Sequence, residues 1–220
     1  SYHSVIILYT SFLLTYILTS LYCFRKDLKS TQIRLSINKI QYTTKQDIIK
    51  TYQKCAGLVL KNTFIIIPLL SFFLQPLVPT ELFKLSDIAK FPINFILIEV
   101  LFYSTHRIMH IGFLYKRFHK KHHEIPIPVS ISALYLHPVD LIFSNFFPVV
   151  LPPYILNHGV IAFSLWIIFS IFNTVYISHQ GQKDLSEFHD YHHEKTICNY
   201  GTELFMDKLL GTYKKRTYSD

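Results

Sequence analysis

The stretch Ser4–Phe24, SVIILYTSFLLTYILTSLYCF, runs for 21 residues without a charge. A helix of that length rises far enough to cross the ~30 Å hydrocarbon core of a bilayer. It has no basic leading region and no small-residue cleavage pattern, so it reads as a retained span rather than a removable signal peptide. Four further apolar segments follow. Leu58–Pro79 is the second, with Lys61 able to snorkel near its start. Phe91–Ser104 is the third and contains Glu99. Leu134–Leu156 is the fourth, broken by Pro138, Pro148, Pro152 and Pro153 and therefore read as kinked. Gly159–Ser178 is the fifth.

The composition agrees. Half of the 220 residues are hydrophobic and 16% are charged, against about 25% charged in an ordinary soluble domain. Mean hydropathy is +0.26. The aromatic content of 16% excludes disorder, and six glycines and ten prolines exclude a collagenous or low-complexity chain. A net charge of +8 would suggest nucleic acid in a soluble protein. Beside apolar spans it reads as basic residues meeting anionic headgroups, with no nucleic-acid partner. Cys23, Cys55 and Cys198 are far apart and form no CxxC, so neither a disulfide framework nor a cysteine metal site is expected.

Basic residues orient the spans. Of 22 Lys and Arg, only Lys84 and Lys90 fall in the loops 80–90 and 152–159. The positive-inside rule then puts those loops and the N-terminus in the lumen, and segments 25–54, 112–133 and 179–220 in the cytosol. The expected fold is an all-α integral membrane protein: four or five transmembrane helices under a cytosolic, histidine-rich helical cap. Residues 1–90 supply N-terminal spans and a basic loop, and residues 91–220 carry the histidines.

Nine of the 12 histidines lie in two windows, 106–123 and 179–193, where uniform scatter would place about two. His106 and His110 are spaced i, i+4 and share a helix face. His119-Lys-Lys-His122-His123 and His189-Asp-Tyr-His192-His193 repeat one HxxHH pattern, and His179 stands alone. Neutral imidazole is a common ligand of transition metals, and nine or ten rings suffice for two ions. His3 and His158 fall on the opposite side and read as ordinary interfacial residues.

These boxes, with Tyr115, His137-Pro-Val-Asp140, Asn199-Tyr-Gly201 and Asp207-Lys-Leu-Leu-Gly211-Thr212, resemble the sterol desaturase and fatty acid hydroxylase superfamily over residues 95–213. Within it the motifs are most similar to C-4 methylsterol oxidase-like and cholesterol 25-hydroxylase-like members. The resemblance makes 91–220 a fatty acid hydroxylase-like domain. It implies an endoplasmic reticulum protein with a non-haem di-iron centre that uses O2 to hydroxylate or desaturate a sterol, fatty acyl or sphingoid lipid. Zinc is a possible occupant of purified protein. Electrons are expected from NAD(P)H through cytochrome b5 or a reductase, a separate protein because no cytochrome b5-like segment is visible. The implied ligands are His106, His110, His119, His122, His123, His179, His189, His192 and His193, with His137 the tenth. The short spacing from His179 to His189 and the His-Gln-Gly element at His179 depart from those members and leave the substrate open.

An unactivated C–H bond demands an oxidant that side chains cannot supply, which a redox metal can. Glu124, Asp140, Asp190, Glu194 and Asn199 are candidates to orient the rings from behind, or simply to form surface ion pairs and hydrogen bonds. Lys116, Arg117, Lys120 and Lys121 suit either steering of an acidic donor or topology alone. Two other readings stay open: a lipid-binding pseudoenzyme that keeps the boxes, and a metal transporter. A transporter should carry polar ligands at mid-membrane depth, where this sequence offers only isolated Glu99 and Asp140.

Overall fold

The computed structural model describes residues 1–29, 34–35, 41–42, 44–180 and 187–216. Parts of the basic segment 25–54, and residues 181–186 of the second histidine window, lie outside the described residues. The fold is helical, with one two-residue antiparallel pairing of β1 (Arg34–Leu35) and β2 (Gln41–Tyr42).

The first helix, α1 (Tyr2–Lys29), buries a single stripe: Ser4, Leu8, Phe12, Tyr16, Thr19, Cys23 and Asp27. That spacing of three and four is one helix face, and it packs along α9 (Val160–Phe172). The opposite face leaves Ile6, Leu14, Leu18 and Leu21 exposed, as lipid contact requires. Thr44 and Asp47 form a reciprocal capping box that starts α2 (Lys45–Lys61), which runs through a π-helical turn, Asn62–Ile66, into α3 (Ile67–Phe73).

A similar π-helical turn, Leu141–Phe146, joins the short α7 (Pro138–Asp140) to α8 (Phe147–Ile155). In both cases the bonds reach back five residues, Ile67 N–H to Asn62 O and Phe147 N–H to Ile142 O. Pro68 and Pro148 follow directly; lacking an N–H, each leaves a carbonyl one turn earlier unclaimed, which lets the turn widen. In the fourth expected segment Pro148 thus follows a π-helical turn, while Pro152 and Pro153 lie inside α8. Residues 130–134 are a separate 3₁₀ turn that lies ahead of that helix.

Among the described residues, four helical stretches are long and apolar enough to cross a membrane: Tyr2–Lys29, Lys45–Phe73, Pro138–Ile155 and Val160–Ser178. The third expected span is α5 (Ile93–Met109), 17 residues with Glu99 buried inside. It nonetheless joins the same two ends of the molecule as its neighbours. At one end, loop 80–90 is stitched to residues 157–161. Val160 N–H donates to Glu81 O (2.9 Å), and Lys84 Nζ donates to Asn157 O (3.1 Å). His158, fully buried there, bonds Asp87 Oδ1 through Nδ1 (3.0 Å) and accepts from Asn94 through Nε2 (3.2 Å). It is an internal clamp, whereas the sequence suggests an interfacial residue; His3 is exposed. Gly159 donates to Asp87 Oδ2 (3.1 Å), and a Cβ there would meet Asp87 and the Leu82 and Phe83 backbone at 3.1 Å. At the other end, α5 delivers His106 and His110.

The first 90 residues fold onto the rest. Tyr16 Oη donates to Ile131 O (3.0 Å), and the buried Asn62 amide donates to Leu134 O (2.9 Å) and Leu136 O (2.8 Å). Two single cysteines, at Leu85 in the stitched loop and at Lys195 beyond the histidines, are expected to react with an impermeant thiol reagent from opposite sides of sealed vesicles. Both positions are exposed, and the three native cysteines are buried. Labelling of both from one side would overturn the two-ended arrangement.

Candidate metal centre

The nine windowed histidines collect into two groups. His106, His110, His119, His123 and His192 form one, and His122, His179, His189 and His193 form the other. In each, one ligand atom per residue lies within 4.8 Å of all the rest. The partition divides both HxxHH triplets in the same way. His119–Glu124 is a 3₁₀ turn, and His189 to His193 lie on α10 (Glu187–Lys195). The outer pair of each triplet points one way and the middle ring the other. His119 and His123 thus join the first group while His122 crosses to the second; His189 and His193 join the second while His192 crosses to the first. The groups adjoin, with ring centroids of His123 and His193 4.5 Å apart.

Most rings are fixed from behind through Nδ1. His106 bonds Tyr200 O (2.8 Å), His119 bonds Asp140 Oδ2 (2.8 Å), and His192 bonds Cys198 O (2.6 Å). His193 bonds Ile125 O (3.1 Å) and His179 bonds Thr174 O (2.7 Å). Each of these partners is an acceptor, so Nδ1 carries the proton and Nε2 presents a lone pair. The consequence is sharp at His106 and His119, whose Nε2 atoms sit 3.1 Å apart with no proton between them. The Nε2 atoms of His179 and His192 are buried with no partner in the protein. Burial lowers the pKa of His122, His123, His189 and His193 well below the usual imidazole value, of His179 to about 4 and of His192 to about 3. Buried, neutral, mutually facing imidazoles fit a bound cation and little else.

The fatty acid hydroxylase family model matches residues 91–212, more than half of the chain. The protein belongs to the fatty acid hydroxylase family. Human fatty acid hydroxylase domain-containing protein 2 is 39% identical over 118 residues, 52% of this chain and 35% of that protein. A Dictyostelium discoideum protein with a provisional methylsterol monooxygenase name is 30% identical over 202 residues, 82% of this chain and 74% of that one. A very-long-chain aldehyde decarbonylase of rice, Oryza sativa, is 32% identical over 136 residues, 54% of this chain and 50% of that protein. The chain thus spans about a third of the human relative and half of the rice one. No solved structure matches.

His137 belongs to neither group; its Nδ1 accepts from Val139 N–H (3.2 Å) and caps α7. Of the five residues proposed to orient rings, Asp140 bonds His119 directly. Glu124 binds Lys121 (3.0 Å) and accepts from Tyr135 (3.0 Å), and Glu194 pairs with Arg216. Asn199 ties down the C-terminal segment, donating to Lys214 O and accepting from Lys214 N–H at 2.8 Å each. Asp190 lies half-buried on α10 between His189 and His192. Backbone carbonyls do most of the orienting, and those of Cys198 and Tyr200 come from a loop with positive φ at Thr196 (59°), Asn199 (56°) and Leu204 (62°). Each such residue costs about 1 kcal/mol or more, held by its surroundings.

Two buried carboxyl groups do that holding. Glu99 accepts from Thr202 N–H (2.7 Å) and Oγ1 (2.8 Å), Glu203 N–H (2.8 Å) and Met206 N–H (3.1 Å). Asp207, on α11 (Phe205–Leu209), accepts from Tyr200 N–H (2.9 Å), Gly201 N–H (2.7 Å) and Thr212 Oγ1 (2.7 Å). A lone glutamate inside an apolar helix was the sequence signal for this role. Gly201 is required by the close approach: a Cβ there would overlap the Glu99 carboxyl and come 3.0 Å from Asp207 Oδ2.

Two metal ions per chain are expected by mass spectrometry of the purified protein. The His106→Ala/His110→Ala and His179→Ala/His189→Ala pairs should each bring the count toward one. Gly201→Ala should lower metal content while the chain still inserts, because it moves the Tyr200 carbonyl that aims His106. Full occupancy in all three variants would contradict the two-group arrangement.

Proposed function

We propose that this member of the fatty acid hydroxylase family is an iron- and O2-dependent lipid oxygenase of an internal membrane, the endoplasmic reticulum, with its histidines in the cytosol. The observation that carries this reading is the cavity of about 310 Å³ that begins at His106, His119, His122, His179 and His189 and runs down between α5 and α9 past Phe95, Phe102, Trp166 and Phe169. A long apolar ligand held there places a carbon against the histidines. The two groups are proposed to hold one iron each, with zinc an alternative occupant of purified protein because it lies above ferrous iron in affinity for nitrogen sites. Bound there, a pair of ferrous ions supplies what side chains lack, electrons and an O2-derived oxidant strong enough for an unactivated C–H bond.

The chain's own residues do the rest. The Nδ1–H donors to Tyr200 O, Asp140, Cys198 O, Ile125 O and Thr174 O keep five Nε2 atoms aimed inward. The aromatic wall excludes water and orients the lipid. Lys116, Arg117, Lys120 and Lys121 offer a basic face to an acidic donor, cytochrome b5 or a reductase, that relays electrons from NAD(P)H. Hydroxylation of a sterol or long-chain lipid is the reaction that the methylsterol monooxygenase-named relative supports. The rice relative favours a second reading, in which a long-chain aldehyde is the substrate.

Membranes containing the protein, given iron, O2, NADH and a competent donor, are expected to convert a lipid. A gain of one oxygen reports hydroxylation, a loss of two hydrogens reports desaturation, and a product one carbon shorter reports the aldehyde reaction. His122→Ala and His192→Ala should each abolish conversion without loss of the protein from the membrane. Asp140→Asn, which weakens only the support behind His119, should cost about 10–100-fold. Turnover by His122→Ala at the parental rate would remove that ligand. No conversion by the parent would favour the pseudoenzyme reading.

A further inference from the structure

Asp27 closes the buried stripe of α1 and is 4% exposed. It lies outside residues 91–212, which the family model matches. Its Oδ2 accepts from the Tyr52 hydroxyl of α2 (3.2 Å), and its Oδ1 accepts from the side-chain amide of Gln180 (2.9 Å). Tyr52 Oη also bonds Ser130 Oγ, at the start of the 3₁₀ turn 130–134 (2.7 Å). Ser130 and Gln180 are buried as well. Taking an ionised carboxyl group out of water is costly unless it is bonded, so the elements that this one joins are those that the fold needs held together.

Gln180 directly follows His179, a member of the second histidine group. His179 follows a third π-helical turn, Asn173–Ser178, which continues α9. Its Nδ1–H bond to Thr174 O fixes the ring against that turn, five residues back. The bond is local. It does not set where the end of the turn sits relative to His122, His189 and His193, which arrive on other elements. The end of α1 does. The Tyr22 ring lies 5.9 Å from the Tyr176 ring, Lys26 Nζ stands 5.4 Å from the same ring, and Asp27 takes hold of Gln180 one residue past the histidine. Tyr52 and Ser130 brace the carboxyl group in turn, against α2 and against the segment whose Ile125 carbonyl aims His193. Both supports lead to the second group. Rings of the first are held by Tyr200 O, Cys198 O and Asp140, with Glu99 and Asp207 behind the two carbonyls.

We infer that Asp27 is a positioning residue of the second histidine group: it holds Gln180, and through it the backbone of His179, where that ring shares a metal ion with His122, His189 and His193. This rests on the metal-binding reading of the two groups and adds the N-terminal helix to the centre. The bond needs an acceptor facing Gln180 rather than a charge. An asparagine supplies one: its amide oxygen accepts from Gln180, its NH2 donates to Tyr52 Oη, and the phenol then donates to Ser130. An alanine supplies neither bond, and it leaves the end of the turn free to shift against the other three rings.

The test reads the zinc affinity of each group separately, by competition with a chelator on the purified full chain in lipid nanodiscs, without turnover. The His106→Ala/His110→Ala background keeps the second group whole, and the His179→Ala/His189→Ala background keeps the first. Asp27→Ala should weaken zinc binding about tenfold where the second group is whole, the lower end of what is lost with a group that orients a metal ligand. It should leave affinity unchanged where the first group is whole, which also certifies the fold. Asp27→Asn should keep the affinity of its background in both. Equal weakening in both backgrounds, weakening in neither, or an Asp27→Asn protein as weak as Asp27→Ala would each overturn the inference and leave the two metal groups standing. Absence of zinc from either background would overturn it together with the two-group reading. Iron-dependent oxidation of a lipid, assayed separately on the unsubstituted protein, decides the oxygenase reading independently of these outcomes.

Discussion

Two imidazole nitrogens, Nε2 of His106 and Nε2 of His119, face each other at 3.1 Å with both ring protons already committed elsewhere, to Tyr200 O and to Asp140. Lone pair against lone pair in a buried site is a repulsion that only a positive charge relieves. The arrangement around it is built to keep that confrontation in place. The Tyr200 carbonyl is aimed by Asp207, Asp207 and Glu99 together hold a loop with three left-handed residues, and Gly201 lets the two carboxyl groups close on it. Burying Glu99 and Asp207 is costly unless every oxygen is bonded, and between them they collect seven donors. The order of dependence runs from ring to carbonyl to loop to carboxyl group.

The opposite end supplies the counterweight. His158, Asp87 and Asn94 lock the loop 80–90 to the start of α9, so α5 and α9 leave a fixed base and reach the histidines in register. With both ends pinned, the π-helical turns are where the lengths of the helices adjust. Residues of two of them, Leu141–Phe146 and Asn173–Ser178, line the cavity that those helices enclose, while the third, Asn62–Ile66, uses its asparagine to hold the Leu134 and Leu136 carbonyls.

Much of this was legible in the sequence, for definite reasons. The uncharged run Ser4–Phe24 has the length of a span, and nine histidines crowded into two windows pointed to a shared ligand set; which ring joins which group was not legible, because one HxxHH triplet lies on a 3₁₀ turn and the other on an α-helix. The partners behind the rings were not legible, because a backbone carbonyl has no residue signature: Cys198, Tyr200, Ile125 and Thr174 act through atoms every residue has. Carboxylates near the boxes drew attention instead, and Glu124 and Glu194 proved to pair with cations. Glu99 looked isolated and His158 read as an ordinary interfacial residue because their partners lie 103 and 71 residues away.

The crossing of the two triplets has a consequence in time. Each metal group draws rings from both ends of the 119–193 interval, so neither can be completed by the segment made first. During synthesis, which runs from the N-terminus, the helices through α9 can insert and pack while both groups are still short of ligands. Only when α10 has emerged, and the chain through Thr212 has closed the loop behind it, do the two groups acquire their full sets together. On the proposed metal-binding reading, capture of the ions is therefore a late event, a latch that closes on a bundle already seated in its membrane.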